Sequence, residues 1–410
     1  MKKLFIMVIL ASLLVPGGFM GKGDSRAAEK LRVGVIYPIS GPMALLGEES
    51  FRGAEISRVM RNNKGGVAGK QIEYVFADIP DVNAAKSETE RLLSQGKVKI
   101  MTGAYSSSLG LAASEVTCRK NLIYFSVEGI ADQFVERGYK TIFATDPRAK
   151  LFSAAQVKFM QQWLAPQLNM KANELRVSFI HEDSAYGSSV ARNFEKAAKA
   201  GNVKLVSVIP YSPKAVDLSS VILNLRKDKP DVVVAVSYAA DAVLLGRQSK
   251  ELGLDIKAFI GNGGGHSLTS FQEALGPTTE GILNVDFTQF EVNYDFCPGL
   301  KEFVATYKQM YNKPPLSGHS TCSFVGMNAL FDILEKTKGD MDPKVFRPAA
   351  LAHELPPGKS ANGWGVKFNE HGENIWADPF MMQWRDGKLV TVWPKGPAVM
   401  EPKLIKPFSK

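Results

Sequence analysis

Past its first thirty residues, the chain alternates short apolar runs with longer stretches of helical period. Strands are predicted over 31–37, 72–77, 98–102 and 123–126. Helices are predicted over 48–62, 82–95 and 109–119 between them. Strands alternating with helices of this length imply a parallel sheet with crossover helices. A second series of the same kind follows, with strands over 176–181, 204–209, 232–236 and 258–261. Its helices are predicted over 151–164, 188–199, 218–227 and 239–252. Beyond it come amphipathic helices near 298–311 and 323–336, then two strands, 379–385 and 389–393, joined at Asp386-Gly387, a hairpin signal between apolar runs. The pattern predicts an α/β protein with two doubly wound parallel-sheet lobes. In such sheets ligands sit outside the carboxyl ends of the strands. The candidate site is therefore a cleft between the lobes, built from 39–47, 105–108, 126–131, 182–186, 237–241 and 262–266.

The N-terminus changes the picture by setting a compartment. Lys2 and Lys3 precede an apolar run, Leu4 to Val15, and Ser25-Arg-Ala27 supplies small residues at signal-peptidase spacing. This pattern predicts a secretory leader, cleaved after Ala27, and a periplasmic mature protein. The run is too short to span a bilayer. With no cysteine near the cleavage point, lipid attachment is not expected.

Charge and cysteine usage mainly exclude. Part of the formal +9 belongs to the leader, and the rest is spread without a block of five basic residues, which gives nucleic-acid binding little support. Cys118, Cys297 and Cys322 are too far apart for a C-x-x-C motif, allow at most one disulfide, and leave open whether Cys297 and Cys322 pair. No His pair stands at i, i+4 with a Glu between, and no Gly-x-Ser-x-Gly elbow is present, so neither a metal site nor a serine nucleophile is expected. Gly261-Asn-Gly-Gly-Gly-His266 ends in histidine where a dinucleotide fingerprint needs glycine, and reads as a close-approach loop. Gly65 to Lys70 lacks the leading glycine of a phosphate loop. No cofactor is expected.

The most informative segment runs from Gly103 to Ser114. Three hydroxyls, Ser106, Ser107 and Ser108, stand where a strand passes into a helix, beside Tyr105. A helix start exposes unpartnered N–H groups and partial positive charge, and so holds a carboxylate without lysine or arginine. The competing reading is a serine that caps its own helix. Tyr186 and Tyr238, just past second-lobe strands, are placed to close over a ligand or to pack the lobes; His266 lies within reach of the same cleft.

Gly34-Val-Ile-Tyr-Pro-Ile-Ser-Gly-Pro42 with Gly47, the Ser106–Ser108 loop, Glu136-Arg-Gly-Tyr139, His181-Glu-Asp-Ser-Ala-Tyr-Gly187 and Gln383-Trp384 together resemble the leucine/isoleucine/valine-binding type of periplasmic solute-binding protein, over essentially the whole mature chain. The resemblance implies two lobes joined by three crossings, near Thr145, Asp286 and Phe368. It implies a lobe 1 of 28–145 plus 287–368 and a lobe 2 of 146–286 plus 369–410, after a leader of 1–27. Hinge closure would trap the ligand for delivery to an inner-membrane ABC permease, and a monomer is expected. Ser107 matches the serine that binds the ligand carboxylate, aided by amides near Glu128, Gly129 and Ile130; Tyr186 and the Tyr238 region match the closing residues. Leu46 stands where an aromatic often covers the ligand. Gly263 departs from the pattern, because amino-acid binders place an acid there to hold the ammonium. Glu128 and Asp241 are the replacements considered; otherwise the ligand is an acid without an amine. A sensor of the same fold and an enzyme using His266, Asp241 and Glu128 are the alternatives to a transport receptor.

Overall fold

The computed structural model describes residues 30–408; the leader predicted over 1–27 lies outside them. The first sheet contains β1 (Leu31–Tyr37), β2 (Ile72–Asp78), β3 (Ile100–Gly103), β4 (Ile123–Ser126) and β5 (Ile142–Ala144), in the order β2-β1-β3-β4-β5. Every pairing in it is parallel. The second sheet takes β6 (Arg176–Glu182), β7 (Lys204–Tyr211), β8 (Val232–Val236), β9 (Ala258–Asn262) and β10 (Leu283–Asp286). β11 (Glu354–Leu355) and β12 (Val366–Lys367) pair separately, and β13 (Phe380–Arg385) and β14 (Lys388–Trp393) extend the second sheet to the order β14-β13-β10-β9-β8-β6-β7. β13 and β14 are antiparallel additions to an otherwise parallel sheet. β8, Val-Val-Val-Ala-Val, is buried throughout, as expected of a central strand covered by helices on both faces.

Four strands were not predicted, the two-residue β11 and β12 among them. β5 has three residues, and β10 reads Leu-Asn-Val-Asp, with a fully buried Asn284 interrupting its apolar run. The helix expected from 323 begins earlier, at Gly318, because Ser317 caps it by accepting from the His319 N–H. Cys118, Cys297 and Cys322 are all buried free thiols. No described helix is long and apolar enough to cross a membrane.

The chain passes between the sheets three times. After β5, Asp146 and Arg148 form a fully buried ion pair, and Arg148 donates to the Gly129 carbonyl at 2.6 Å. After β10 the chain returns to the first lobe, where helix Gly318–Lys336 packs on helix Ala44–Asn63. Before β13, Asn374 ties the last crossing to the first by donating to Thr145 O at 2.7 Å and to Gly365 O at 2.8 Å. The first and last crossings are thus bonded to each other.

Candidate functional site

β3 ends at Gly103, whose φ of +112° and close approach to Ile36 O (2.1 Å from where a Cβ would sit) require glycine. Ala104 at φ +56° completes the turn that delivers Ser106 to the start of helix Ser107–Arg119. Ser106 occupies the N-cap position but makes no side-chain cap bond. The self-capping reading therefore fails. Its hydroxyl instead faces Tyr238 across the cleft at 3.4 Å. The Ser107 hydroxyl oxygen accepts from Ala131 N–H at 3.2 Å, which leaves its hydrogen for an acceptor in the cleft.

Glu128, just past β4, is 2 % exposed and accepts from Ser50 Oγ at 2.5 Å and from Ser323. Burial pushes its pKa well above the carboxylate range, against the pull of both serine bonds.

The second lobe supplies the facing wall. Tyr186 stands on the helix capped by Ser184. Its hydroxyl donates to the Asn262 carbonyl and accepts from Asn262 Nδ2 at 2.9 Å. Tyr238 reaches Ser184 as well as Ser106, both at 3.4 Å. Gly263, Gly264 and the ends of β10 and helix Ala149–Phe159 bring in Asp286, Phe287 and Phe152; His319 enters from the helix at 318. Together these walls frame about 370 Å³ of non-protein space, part of it open to solvent.

No lysine or arginine lines this space; its carboxyl groups are Glu128 and Asp286. Burial raises Asp286 to about 7, opposed by bonds from Ser267, the Phe287 amide and Gln289. Burial lowers His319 to about 3, so the ring is neutral at physiological pH, with Nδ1 bonded to Ser317 Oγ at 2.9 Å.

Of the residues singled out from sequence, Tyr105, Ser106, Ser107, Glu128 and Ile130 meet Tyr186, Tyr238 and Gly263 around the cavity. Five others do not line it. Leu46 packs with Tyr105 and second-lobe Leu268 in an apolar cluster. Ser108 accepts from the Ala185 amide of the opposite lobe at 3.4 Å, and Gly129 serves Arg148. Asp241 accepts from Tyr211 at 2.8 Å, buried and raised to about 7 by desolvation. His266 is fully buried with its ring against Phe259 and Phe271, and burial lowers it to about 3. Neither Asp241 nor His266 reaches the cleft. The lining residues that sequence reasoning missed are Phe152, Asp286, Phe287 and His319, while Gly264 lies in the 262–266 stretch expected at the cleft. Recognition of β10 as a strand would have identified Asp286 and Phe287 by the same strand-end rule. Among the described residues no group of three or more His, Cys, Asp or Glu side chains is placed to hold a metal ion.

Comparison with known proteins gives a consistent result. Leu/Ile/Val-binding protein homolog 7 of Brucella melitensis is 39% identical over 405 residues, covering 98% of this chain and all of the relative. Homolog 8 of Brucella abortus is 39% identical over 381 residues, 93% of this chain and 94% of that one. The fold is shared with the branched-chain amino acid transporter substrate binding protein of Streptococcus pneumoniae solved with isoleucine, at TM-score 0.74 and 19% identity over 92% of this chain and 100% of that one. It is also shared with a Rhodopseudomonas palustris solute binding protein solved with benzoate, at TM-score 0.73 and 20% identity over 91% and 98%. The periplasmic binding protein family matches residues 30–388, and this chain, with its two α/β lobes around a closed cleft, belongs to that family.

Proposed function

We propose that this protein is the extracytoplasmic receptor of an ABC importer, capturing a hydrophobic or branched-chain amino acid, or a related small carboxylate, between its lobes. The observation that carries this reading is the uncapped helix start at Ser106 and Ser107, opening onto a cavity faced by Tyr186 and Tyr238 of the other lobe. An uncapped start offers amide donors and positive dipole to a carboxylate, and tyrosines offer contact area at low entropy cost. In this reading the leader is cleaved after Ala27 and the monomer works in the periplasm. The lobe boundaries are those expected from sequence, 28–145 plus 287–368 against 146–286 plus 369–410. Closure about the three crossings then presents the loaded form to an inner-membrane permease. The role is binding rather than catalysis.

An aromatic or aliphatic acid without an amine is the second reading, favoured by Gly263 at the position where an acid would hold an ammonium and by the aromatic walls, Tyr105, Phe152 and Phe287. A thermal-shift screen of the mature protein with amino acids, benzoate-type acids and short fatty acids tests both, since a ligand of the folded form raises the melting temperature. Silence across the whole panel refutes the receptor assignment.

A further inference from the structure

We propose that Arg148 is a positioning residue for the ligand carboxylate: it holds the loop at 129–131 by its carbonyls and so turns the Ile130 N–H into the cleft as a donor beside Ser107. The inference rests on the receptor reading above and deepens it.

Three successive carbonyls hang from the first crossing. The Arg148 guanidinium donates to Gly129 O at 2.6 Å and to Ala131 O at 3.4 Å, and the Ala149 N–H donates to Ile130 O at 2.8 Å. Arg148 is itself fixed. It is fully buried, paired with Asp146, and its guanidinium carbon lies 5.5 Å from the centre of the Phe134 ring. In a trans peptide the C=O and N–H point in opposite directions, and the cis bond among the described residues is elsewhere, at Trp393-Pro394. The N–H groups of residues 130, 131 and 132 therefore point away from the crossing. Two of them find partners that mark what lies on that side. Ala131 N–H donates to Ser107 Oγ at 3.2 Å, and Asp132 N–H donates to Ser189 Oγ of the other lobe at 3.1 Å. The third, Ile130 N–H, meets no acceptor among the described residues, although Ile130 is 6 % exposed and lines the cavity.

A buried N–H without an acceptor is costly, and a ligand oxygen held at Ser107 also satisfies it. The loop stands against the same helix start, since a Cβ added to Gly129 would lie 3.7 Å from Ser107 Cα. A carboxylate has two oxygens and so takes both donors, the Ser107 hydroxyl and the Ile130 N–H. Lysine at 148 would keep the charge that faces Asp146, but not the planar fork that reaches two carbonyls and a carboxylate at once. On the competing reading Arg148 only braces the crossing.

The test compares acids with their amides by calorimetric titration, leucine against leucinamide and benzoate against benzamide, in wild type and in Arg148→Lys. In the variant, an acid that binds wild type should weaken at least about 10-fold. Its amide should change by less than about 3-fold, because charge-assisted bonds lose most from a misaimed donor. Equal weakening of acid and amide is what a brace alone gives, and it overturns the proposal. Amide NMR supplies a second readout: saturation with the acid should move the Ile130 N–H proton downfield in wild type, and less so in Arg148→Lys. An unmoved Ile130 N–H in wild type overturns the donor assignment and leaves the receptor reading intact. If neither acid binds wild type, the reading as a receptor for such acids fails and this inference with it. Should Arg148→Lys fail to fold, Arg148→Met combined with Asp146→Asn removes the guanidinium without stranding a buried carboxylate, and the same acid-to-amide comparison decides.

Discussion

Replacing Ser107 by alanine separates two jobs that its hydroxyl performs. The oxygen accepts from the buried Ala131 amide at 3.2 Å, and the hydrogen is free for the cleft. Loss of the donor removes a hydrogen bond to a charged ligand group, a contribution of ~1.5–3 kcal/mol. At 1.4 kcal/mol per decade, that weakens binding ~10- to 150-fold. Loss of the acceptor strands an N–H in a wall where Ser107 is 2 % exposed, which costs the fold a further ~1–3 kcal/mol whether or not ligand is present. Both effects are measurable separately, the first by calorimetric titration with the best ligand of the thermal-shift panel, the second by urea unfolding of the unliganded protein. Ser107→Ala should therefore show a higher Kd and a lower urea midpoint. An unchanged Kd with a lowered midpoint would mean that the hydroxyl serves only Ala131, and the carboxylate cradle would have to be abandoned.

Further predictions concern pH and packing. Burial raises Asp286 and Asp241 to about 7, above the carboxylate value of an unfolded chain. Stability from these groups is full below about pH 4 and is lost as pH rises through 7, so the unliganded protein should melt at a lower temperature at pH 8 than at pH 5.5; the opposite order would refute the burial argument. Gly53→Ala tests the close approach of helices Ala44–Asn63 and Gly318–Lys336, because the new Cβ would sit 1.9 Å from Ser320 O. Alanine within a helix ordinarily gains ~1 kcal/mol over glycine, but overpacking costs ~1–3 kcal/mol or more, so a lowered urea midpoint is expected and a raised one would show that the helices yield.

The two-lobe architecture and the serine wall were legible because both rest on local signals. β8 is an unbroken apolar run, and Ser106–Ser108 follow directly on β3. The parts that were not legible depend on tertiary surroundings. β10 escaped because Asn284 interrupts four residues that are all buried; the strand is stabilised by its neighbours β9 and β13 and not by its own pattern. With β10 unread, Asp286 marked only a crossing. His319 was missed because Ser317 to Cys322 is polar in composition, yet the helix it opens is buried on nearly every side in its first two turns. Asp241 and His266 show the converse error. Position after a strand sets where the backbone goes, but not where a side chain points. The tight turn Gly264–Ser267 directs His266 into the Phe259–Phe271 layer, and Tyr211 draws Asp241 away from the cleft.

The division of donors and acceptors between the lobes bears on how closure is driven. Lobe 1 contributes the helix start and its serines, while lobe 2 contributes Asp286, Tyr186 and Tyr238. At the cavity mouth the lobes touch through Ser106–Tyr238 and Ala185–Ser108, both at 3.4 Å, the weak end of hydrogen bonding. The firmer inter-lobe contacts, Asp132 N to Ser189 at 3.1 Å and Arg192 to Glu136 at 2.8 Å, stand nearer the first crossing, where Lys150 N also meets Asp132. A ligand engaging both walls at once adds to the apolar packing of Leu46 and Tyr105 against Leu268 in holding the mouth shut. Small-angle scattering should show a decrease in radius of gyration on saturation with the preferred α-amino acid, and a smaller decrease, or none, with its amine-free or carboxyl-free analogue at equal occupancy. Equal contraction with an analogue that lacks one charged end would mean that a single wall suffices to close the lobes, and the two-sided account of the site would be wrong.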